Sequence, residues 1–289
     1  MNKTFAEKSV KKTFLGMIAV MSAASTLFTG CNSNTEKEKI SSKNTVAKKP
    51  PVAKVHVAKS KEVPEGKRVI YLTFDDGPNR GTQNFLQVLR KRKVYATAFL
   101  VGRHASDSKK QREDLVVLKN DTLIELANHS YEHAKNQYAE FYKKPYFVVK
   151  DFNRAKDSLR LSGNIARTPG RNIWRLNDIE VTDLKSSTEA ANNLKKAGYT
   201  LVGWDLEWKP TKKMTLKDDH KIMLKRVDSI FFNDLEKTSK HLVLLTHDQY
   251  LIDENSLREL DLFIDQLQKS NRFVFRKISD YPKIDDILN

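Results

Sequence analysis

The chain has one cysteine, ten glycines and eight prolines in 289 residues. Without a second thiol, Cys31 cannot close an internal disulfide, so an exported domain would be held together by its core and by any metal it binds. No apolar run is long enough for a comfortable membrane span; the run from Phe14 to Phe28 falls short. No Pro/Gly-rich break interrupts residues 67–282, which reads as one domain of sufficient size to build its own core. Acids are also scarce: 36 Asp and Glu face 52 Lys and Arg, leaving a net charge of +16.

What is present begins with an export pattern. Lys3, Lys8, Lys11 and Lys12 precede the apolar run, the layout of a signal peptide over residues 1–30. Leu27-Phe28-Thr29-Gly30-Cys31 resembles the lipobox of bacterial lipoproteins, with Phe28 departing from the usual small or aliphatic residue; the resemblance implies cleavage before Cys31 and a lipid on its thiol. Residues 31–66 are rich in Lys, Ser, Asn and Pro without a sustained period and read as a disordered tether. The expected location is therefore the bacterial cell envelope, with the folded part held at the membrane by lipid. Residues 1–66 carry twelve lysines and five acids, +7, which leaves +9 of the total for residues 67–289. For an exported basic surface, envelope polyanions or acidic lipids are better partners than nucleic acid. Composition says nothing of oligomeric state.

From residue 67 short apolar runs alternate with longer amphipathic ones. Strands are expected at 69–74, 96–101, 123–127, 199–204, 242–246 and 273–275, and helices at 84–92, 148–161, 187–196, 216–235 and 256–269. Gly163 and Gly198 stand where left-handed helix caps would fall. Strand followed by helix, repeated, predicts an α/β fold with a mainly parallel sheet. Chemistry in such sheets gathers at the carboxyl ends of the strands, and the chemically suggestive residues sit there: Asp75 and Asp76, His129 and His133, the segment 205–208, and His247 with Asp248.

Thr73-Phe74-Asp75-Asp76-Gly77 closes the apolar run Val69-Ile70-Tyr71-Leu72. Two desolvated carboxylates are costly without cations, and because neighbouring side chains on a strand point oppositely, one is expected to hold a metal while the other faces a water. His129-Ser130-Tyr131-Glu132-His133 spaces two imidazoles by four, on one side of a helical turn; with a nearby Asp they make the His-His-carboxylate set of a catalytic zinc that keeps a position open. His247 ends another strand as a group able to protonate a leaving atom near neutral pH. His56, His104, His220 and His241 have no such company. Of the two indoles of Trp204-Asp205-Leu206-Glu207-Trp208, Trp204 is expected in the core and Trp208 on a pocket wall.

In order, Thr-Phe-Asp-Asp-Gly, His-Ser-x-x-His, Arg-x-Pro at Arg167, Asp-x-Glu-Trp and Leu-x-His-Asp resemble the motifs of the NodB-homology polysaccharide deacetylases, the fourth carbohydrate esterase family. The resemblance implies a distorted (β/α) barrel, a divalent metal (zinc in many members, with cobalt or nickel alternatives) and removal of acetyl groups from sugar polymers. It makes Asp76, His129 and His133 the metal ligands, Asp75 the general base, Arg167 the group that holds Asp75, and His247 the general acid. Trp208 and Leu245 would line the acetyl slot, with Pro169 and Gly170 beside it. Two motifs depart from the pattern: Gly170 and Arg171 follow Pro169 where an aromatic is usual, and Glu207 stands where Asp is usual before the Trp. Glu207 or Asp205 would orient His247.

The expected function is thus a metal-dependent hydrolase that removes N-acetyl groups from an amino-sugar polymer such as peptidoglycan, poly-N-acetylglucosamine or chitin. An O-acetyl esterase acting on a glycan such as xylan would use the same water, and a glycan-binding lipoprotein without activity would need neither Asp75 nor His247. The loops 137–146 and 209–214 are expected to choose the polymer.

Overall fold

The computed structural model describes residues 63–176 and 178–284. The expected signal peptide, Cys31 and nearly all of the expected tether lie outside the described residues. Val63 packs against the inner core, so the folded part starts before Lys67, slightly ahead of the expected boundary. No helix among the described residues is long and apolar enough to cross a membrane.

In chain order the elements are β1 (Arg68–Gly77), α1 (Thr82–Arg92), β2 (Ala96–Leu100), α2 (His104–Asp107), α3 (Lys109–Asn120), β3 (Ile124–Asn128), α4 (Tyr138–Tyr142), α5 (Pro145–Leu159) and β4 (Ile165–Ala166). There follow β5 (Ile173–Leu176), β6 (Ile179–Thr182), α6 (Thr188–Lys196), β7 (Thr200–Leu201), β8 (Leu206–Glu207), α7 (His220–Phe232), β9 (His241–His247), α8 (Glu254–Lys269) and β10 (Phe273–Phe275). The sheet runs β6-β5-β7-β4-β3-β2-β1-β9-β8, with β10 added alongside β1. All pairings are parallel except those of β5 with β6 and β7. This is a distorted (β/α) barrel: a curled sheet with helices packed outside and a single core-bearing domain.

The alternation of β1 sets the two sides. Ile70, Leu72 and Phe74 face the helices and join Phe85, Leu89, Phe263 and Ile264 in the outer core. Val69 and Tyr71 face inward with Phe99, Trp174, Val202 and Val243. Thr73 and Asp75 are the next positions on the inward side, so a polar layer sits directly above the inner core.

Local chemistry explains most helix limits. Asp219 and Asp253 cap α7 and α8 by accepting from the backbone N–H of Ile222 and Ser256, and Ser108 does the same for α3 through Gln111. Arg90, Lys91 and Arg92 fill the last turn of α1, where cations suit the helix dipole. Gly198 takes the expected positive φ of +86° after α6. Gly163 does not; Arg160, at φ 53°, makes the left-handed end of α5 instead. The expected strand at 199–204 pairs over two residues only, while the β5–β6 hairpin and helix α3 were not expected. In α3 only Asp114 and Leu118 are buried, so its sequence carries little apolar period.

Candidate active site

The inner face of β1 delivers Asp75 into a pre-built cationic socket. Arg167, fully buried just after β4, donates from Nη1 to Asp75 Oδ1 at 2.8 Å and to Thr73 Oγ1 at 2.7 Å. Its Nε and Nη2 donate to the backbone carbonyls of Val202 and Gly203, and its guanidinium lies 4.1 Å from the centre of the Phe99 ring. Burial pulls the Arg167 pKa down while Asp75 opposes the shift. Four hydrogen bonds fix this guanidinium in one orientation.

Simple alternation would turn Asp76 away from Asp75. The register of β1 against β2 slips between Asp75 and Gly77, and Asp76 takes φ 71°. This bulge swings the second carboxylate back toward the same cavity. Burial opposes ionisation of Asp76, but the facing imidazoles of His133, His247 and His129 outweigh it and hold the carboxyl below its ordinary range.

Asp76, His129 and His133 place three ligand atoms within 4.8 Å of one another. Asp76 Oδ1 is 3.0 Å from His133 Nε2 and 3.5 Å from His129 Nε2, and it is buried without a hydrogen-bond partner. The Nδ1 of His129 lies 2.9 Å from the Arg167 carbonyl. A carbonyl only accepts, so this nitrogen carries the proton and leaves the Nε2 lone pair facing the cluster. Burial pushes the His129 pKa down to about 4, which keeps the ring neutral as a ligand must be. Burial also works against a charge on His133, but the contact with Asp76 prevails and its pKa moves up. These residues fit a divalent cation.

The two imidazoles do not meet across a helical turn, as their spacing had suggested. Ser130 has φ 67° and residues 133–136 have φ between 48° and 59°. Side chains hold this left-handed path in place. Asn128 Oδ1 accepts from the Ser130 N–H, Ser130 Oγ from the His133 N–H, and Asp151 from the N–H groups of Tyr131 and Glu132.

Around the cluster lies a cavity of about 830 Å³ lined by Asp75, Asp76, His129, His133, Glu207, Leu245, His247 and Gly170, among others. Four strand ends thus supply one rim. His247 Nε2 is 3.9 Å from Asp76 Oδ2, and its ring centre lies 4.7 Å from that of Tyr250, the planes tilted by 41°.

Several expectations about the cavity walls are corrected. Trp208 is fully buried against Phe263, with its indole N–H donated to the Asp218 carbonyl, whereas Trp204 lines the cavity. Trp208 follows β8 into the outer core, while Trp204, half-buried, packs against the inner core as expected and also faces the cavity. Pro169 is buried and does not line the cavity; its carbonyl accepts from Tyr142, and its neighbours Thr168 and Gly170 provide the surface. Neither acid orients His247. Asp205, whose burial raises its pKa to about 6, accepts from the N–H groups of Lys237 and Val243, and His247 Nδ1 is buried without a partner. Glu207 stays on the cavity wall.

Other residues join the site, among them His104, which had no company in the sequence, and Tyr138 of the loop 137–146. His104 lines the cavity and bonds the Asp76 carbonyl through Nδ1 at 2.7 Å, and Gln249 Nε2 donates to Asp76 Oδ2 at 3.1 Å. Tyr138 lines it too, packed so close to Gly170 that a Cβ there would lie 2.9 Å from its ring. Adjacency to His247 is the one signal that pointed to Gln249 and Tyr250; His104 had none.

A curled parallel sheet with acids and imidazoles gathered at its carboxyl rim defines a hydrolase-like scaffold with a candidate metal centre. The chain matches the polysaccharide deacetylase family model over residues 62–202. It is 34% identical over 99 residues to the peptidoglycan-N-acetylglucosamine deacetylase of Bacillus cereus, covering 34% of this chain and 32% of that protein. It is 27% identical over 205 residues to the chitin disaccharide deacetylase of Vibrio alginolyticus, covering 50% and 48%. The chain therefore spans less than half the length of these curated relatives. Among solved structures, the catalytic domain of a peptidoglycan N-acetylglucosamine deacetylase from Eubacterium rectale matches with a TM-score of 0.55 at 22% identity, covering 76% of this chain and 93% of that one. A family 4 carbohydrate esterase from Streptomyces lividans matches at 0.53 and 20%, covering 75% and 95%. These two likenesses show the fold.

Proposed function

We propose that this protein hydrolyses N-acetyl groups on the amino sugars of an envelope polysaccharide, using a divalent cation, zinc first among the candidates, held by Asp76, His129 and His133. The observation that carries the reading is the ionic layout at the cavity floor. A three-ligand cluster adjoins a second carboxylate, Asp75, that is clamped by a buried guanidinium 2.8 Å away. A cation bound there acts as a Lewis acid that polarises the acetyl carbonyl and lowers the pKa of water.

The protein's own groups divide the remaining work. Asp75 accepts the proton of the attacking water, and Arg167 keeps its carboxylate pointed at the cavity. His247, with Nε2 3.9 Å from Asp76 Oδ2, protonates the departing nitrogen, which leaves as the free amine of the sugar. Leu245, Trp204 and Gly170 border the space for the acetyl methyl group. Gln249 and His104 brace Asp76 from its second oxygen and its backbone.

The names of the relatives support peptidoglycan or chitin-like substrates in general. The N-terminal pattern supports export through residues 1–30 and lipid attachment at Cys31, which partition of wild type and Cys31→Ser between membrane and soluble fractions checks directly. The enzymatic reading is tested by acetate release from peptidoglycan strands, N-acetylglucosamine oligomers and acetylated xylan, with zinc and with Asp75→Asn as control. Release from xylan alone would replace it with an esterase, and no release from any of them would remove it.

A further inference from the structure

A second groove, of about 420 Å³, adjoins the reaction cavity, and Glu132 and Lys135 line both. Most of its other lining comes from α4 and α5, the helices that follow the His129–His133 loop. Two features distinguish it from ordinary surface. Phe147 lines it while 59% exposed, a large aromatic left facing solvent where nothing in the fold requires it. The charges along it are also unbalanced. Glu132 is bridged by Arg103 and Arg154, Glu140 is bonded to Lys143, and Asp151 is occupied by two backbone N–H groups. Each acid is thus answered from within the protein. Lys144 and Lys150, also on the groove, form no ion pair among the described residues. Lys135 reaches Glu132 only at 3.9 Å.

We infer that this groove binds the sugars flanking the acetylated unit on the same glycan strand, and that it selects strands carrying carboxylates. The aromatic face of Phe147 suits the apolar face of a pyranose ring. Lys144, the N-cap of α5, and Lys150, further along that helix, supply two separate ammonium groups, suited to acids recurring along a polymer rather than to one compact anion. Continuity through Glu132 and Lys135 makes the groove an extension of the path a polymer must follow out of the cavity. The inference rests on the deacetylase reading for the identity of the strand, and a neutral poly-N-acetylglucosamine would leave both lysines without function.

The test reads binding without turnover. The Asp75→Asn protein is titrated with alternating N-acetylglucosamine–N-acetylmuramic acid strands, whose lactyl groups are carboxylates, with the same strands after carboxyl amidation, and with N-acetylglucosamine oligomers of equal length. We expect the carboxylated strand to bind about tenfold more tightly than the other two at low salt, a difference that shrinks as salt rises. In this background the pair Lys144→Gln and Lys150→Gln should abolish that preference, Lys150→Arg should keep it, and Phe147→Ala should weaken all three ligands. Thermal melts confirm that each variant is folded. Equal binding of all three glycans, or an undiminished preference in the lysine pair, would overturn the inference. Its failure leaves acetate release by the wild-type protein untouched, whereas strand binding with no acetate release would sink the deacetylase reading alone.

Discussion

Arg167 Nη1 and Asp75 Oδ1 lie 2.8 Å apart, with 0% and 3% of their side chains exposed. A charge pair so removed from water is tolerable only while both members are present. Arg167→Met should leave the Asp75 carboxylate buried without its partner and cost about 3–5 kcal/mol of stability, read as a lower midpoint in urea. Pairing Arg167→Met with Asp75→Asn should recover part of that loss. Full additivity of the two substitutions would show that the ion pair does not couple them.

Asp75→Asn preserves shape and removes the proposed base. Acetate release should fall by about 10² to 10⁴, while zinc uptake, measured by metal analysis after dialysis, stays at the wild-type level. A variant that kept full activity would reassign the proton acceptor.

Chelation of the purified protein should stop acetate release, and added zinc should restore it. Replacing His129 by Ala should weaken metal retention together with activity, because its Nε2 is one of three converging donors. Activity unchanged by a chelator that demonstrably strips the metal would contradict the proposed centre.

The two indoles give a stability test. Trp208→Ala removes a fully buried side chain and should cost about 3–5 kcal/mol. Trp204→Ala, on the cavity wall, should cost less stability and instead lower kcat/KM for the polymer. The reverse pattern in paired urea melts and kinetics would return Trp208 to the pocket.

Asp248 gives the pH prediction. Its carboxyl is fully buried beside Gly77, accepts from Thr82 Oγ1 at 2.6 Å, and is pushed by burial from 3.8 to about 8. Because the folded state holds this proton more tightly than the unfolded chain, the stabilising contribution is complete below pH 3.8 and is lost as pH rises through about 8. Asp248→Asn, which stays neutral, should therefore gain stability relative to wild type between pH 5 and pH 8. A constant difference across that range in urea midpoints would exclude the titration.

The main strands were legible because their apolar runs are long and buried on both sides, as at residues 69–74 and 242–246. The rim was legible as well, since Asp75, Asp76, His129 and His247 fall directly at strand ends and His133 follows His129 by four residues. What the sequence hid are features that depend on backbone dihedrals. The bulge at Asp76 and the left-handed run at 133–136 have no periodic signature, since each leans on a distant partner: His104 at the Asp76 carbonyl, and Asp151 at the N–H groups of Tyr131 and Glu132 that lead into the run. Trp204 and Trp208 differ by four positions in a segment with only two paired residues, so alternation could not say which indole faces the cavity. Helix α3 escaped because its buried surface is small and its cap, Ser108, stands in a polar stretch.

The placement of Asp75 on β1 has a further consequence. On one side β9 pairs with that strand over residues 69–75; on the other, β10 takes residues 68–70 and β2 takes residues 73–77. Hydrogen exchange should find its amides among the slowest in the molecule. The proposed base is therefore mounted on the stiffest beam available, and any adaptation to a new glycan has to come from the surrounding loops, which can be rebuilt without disturbing the hydrolytic centre.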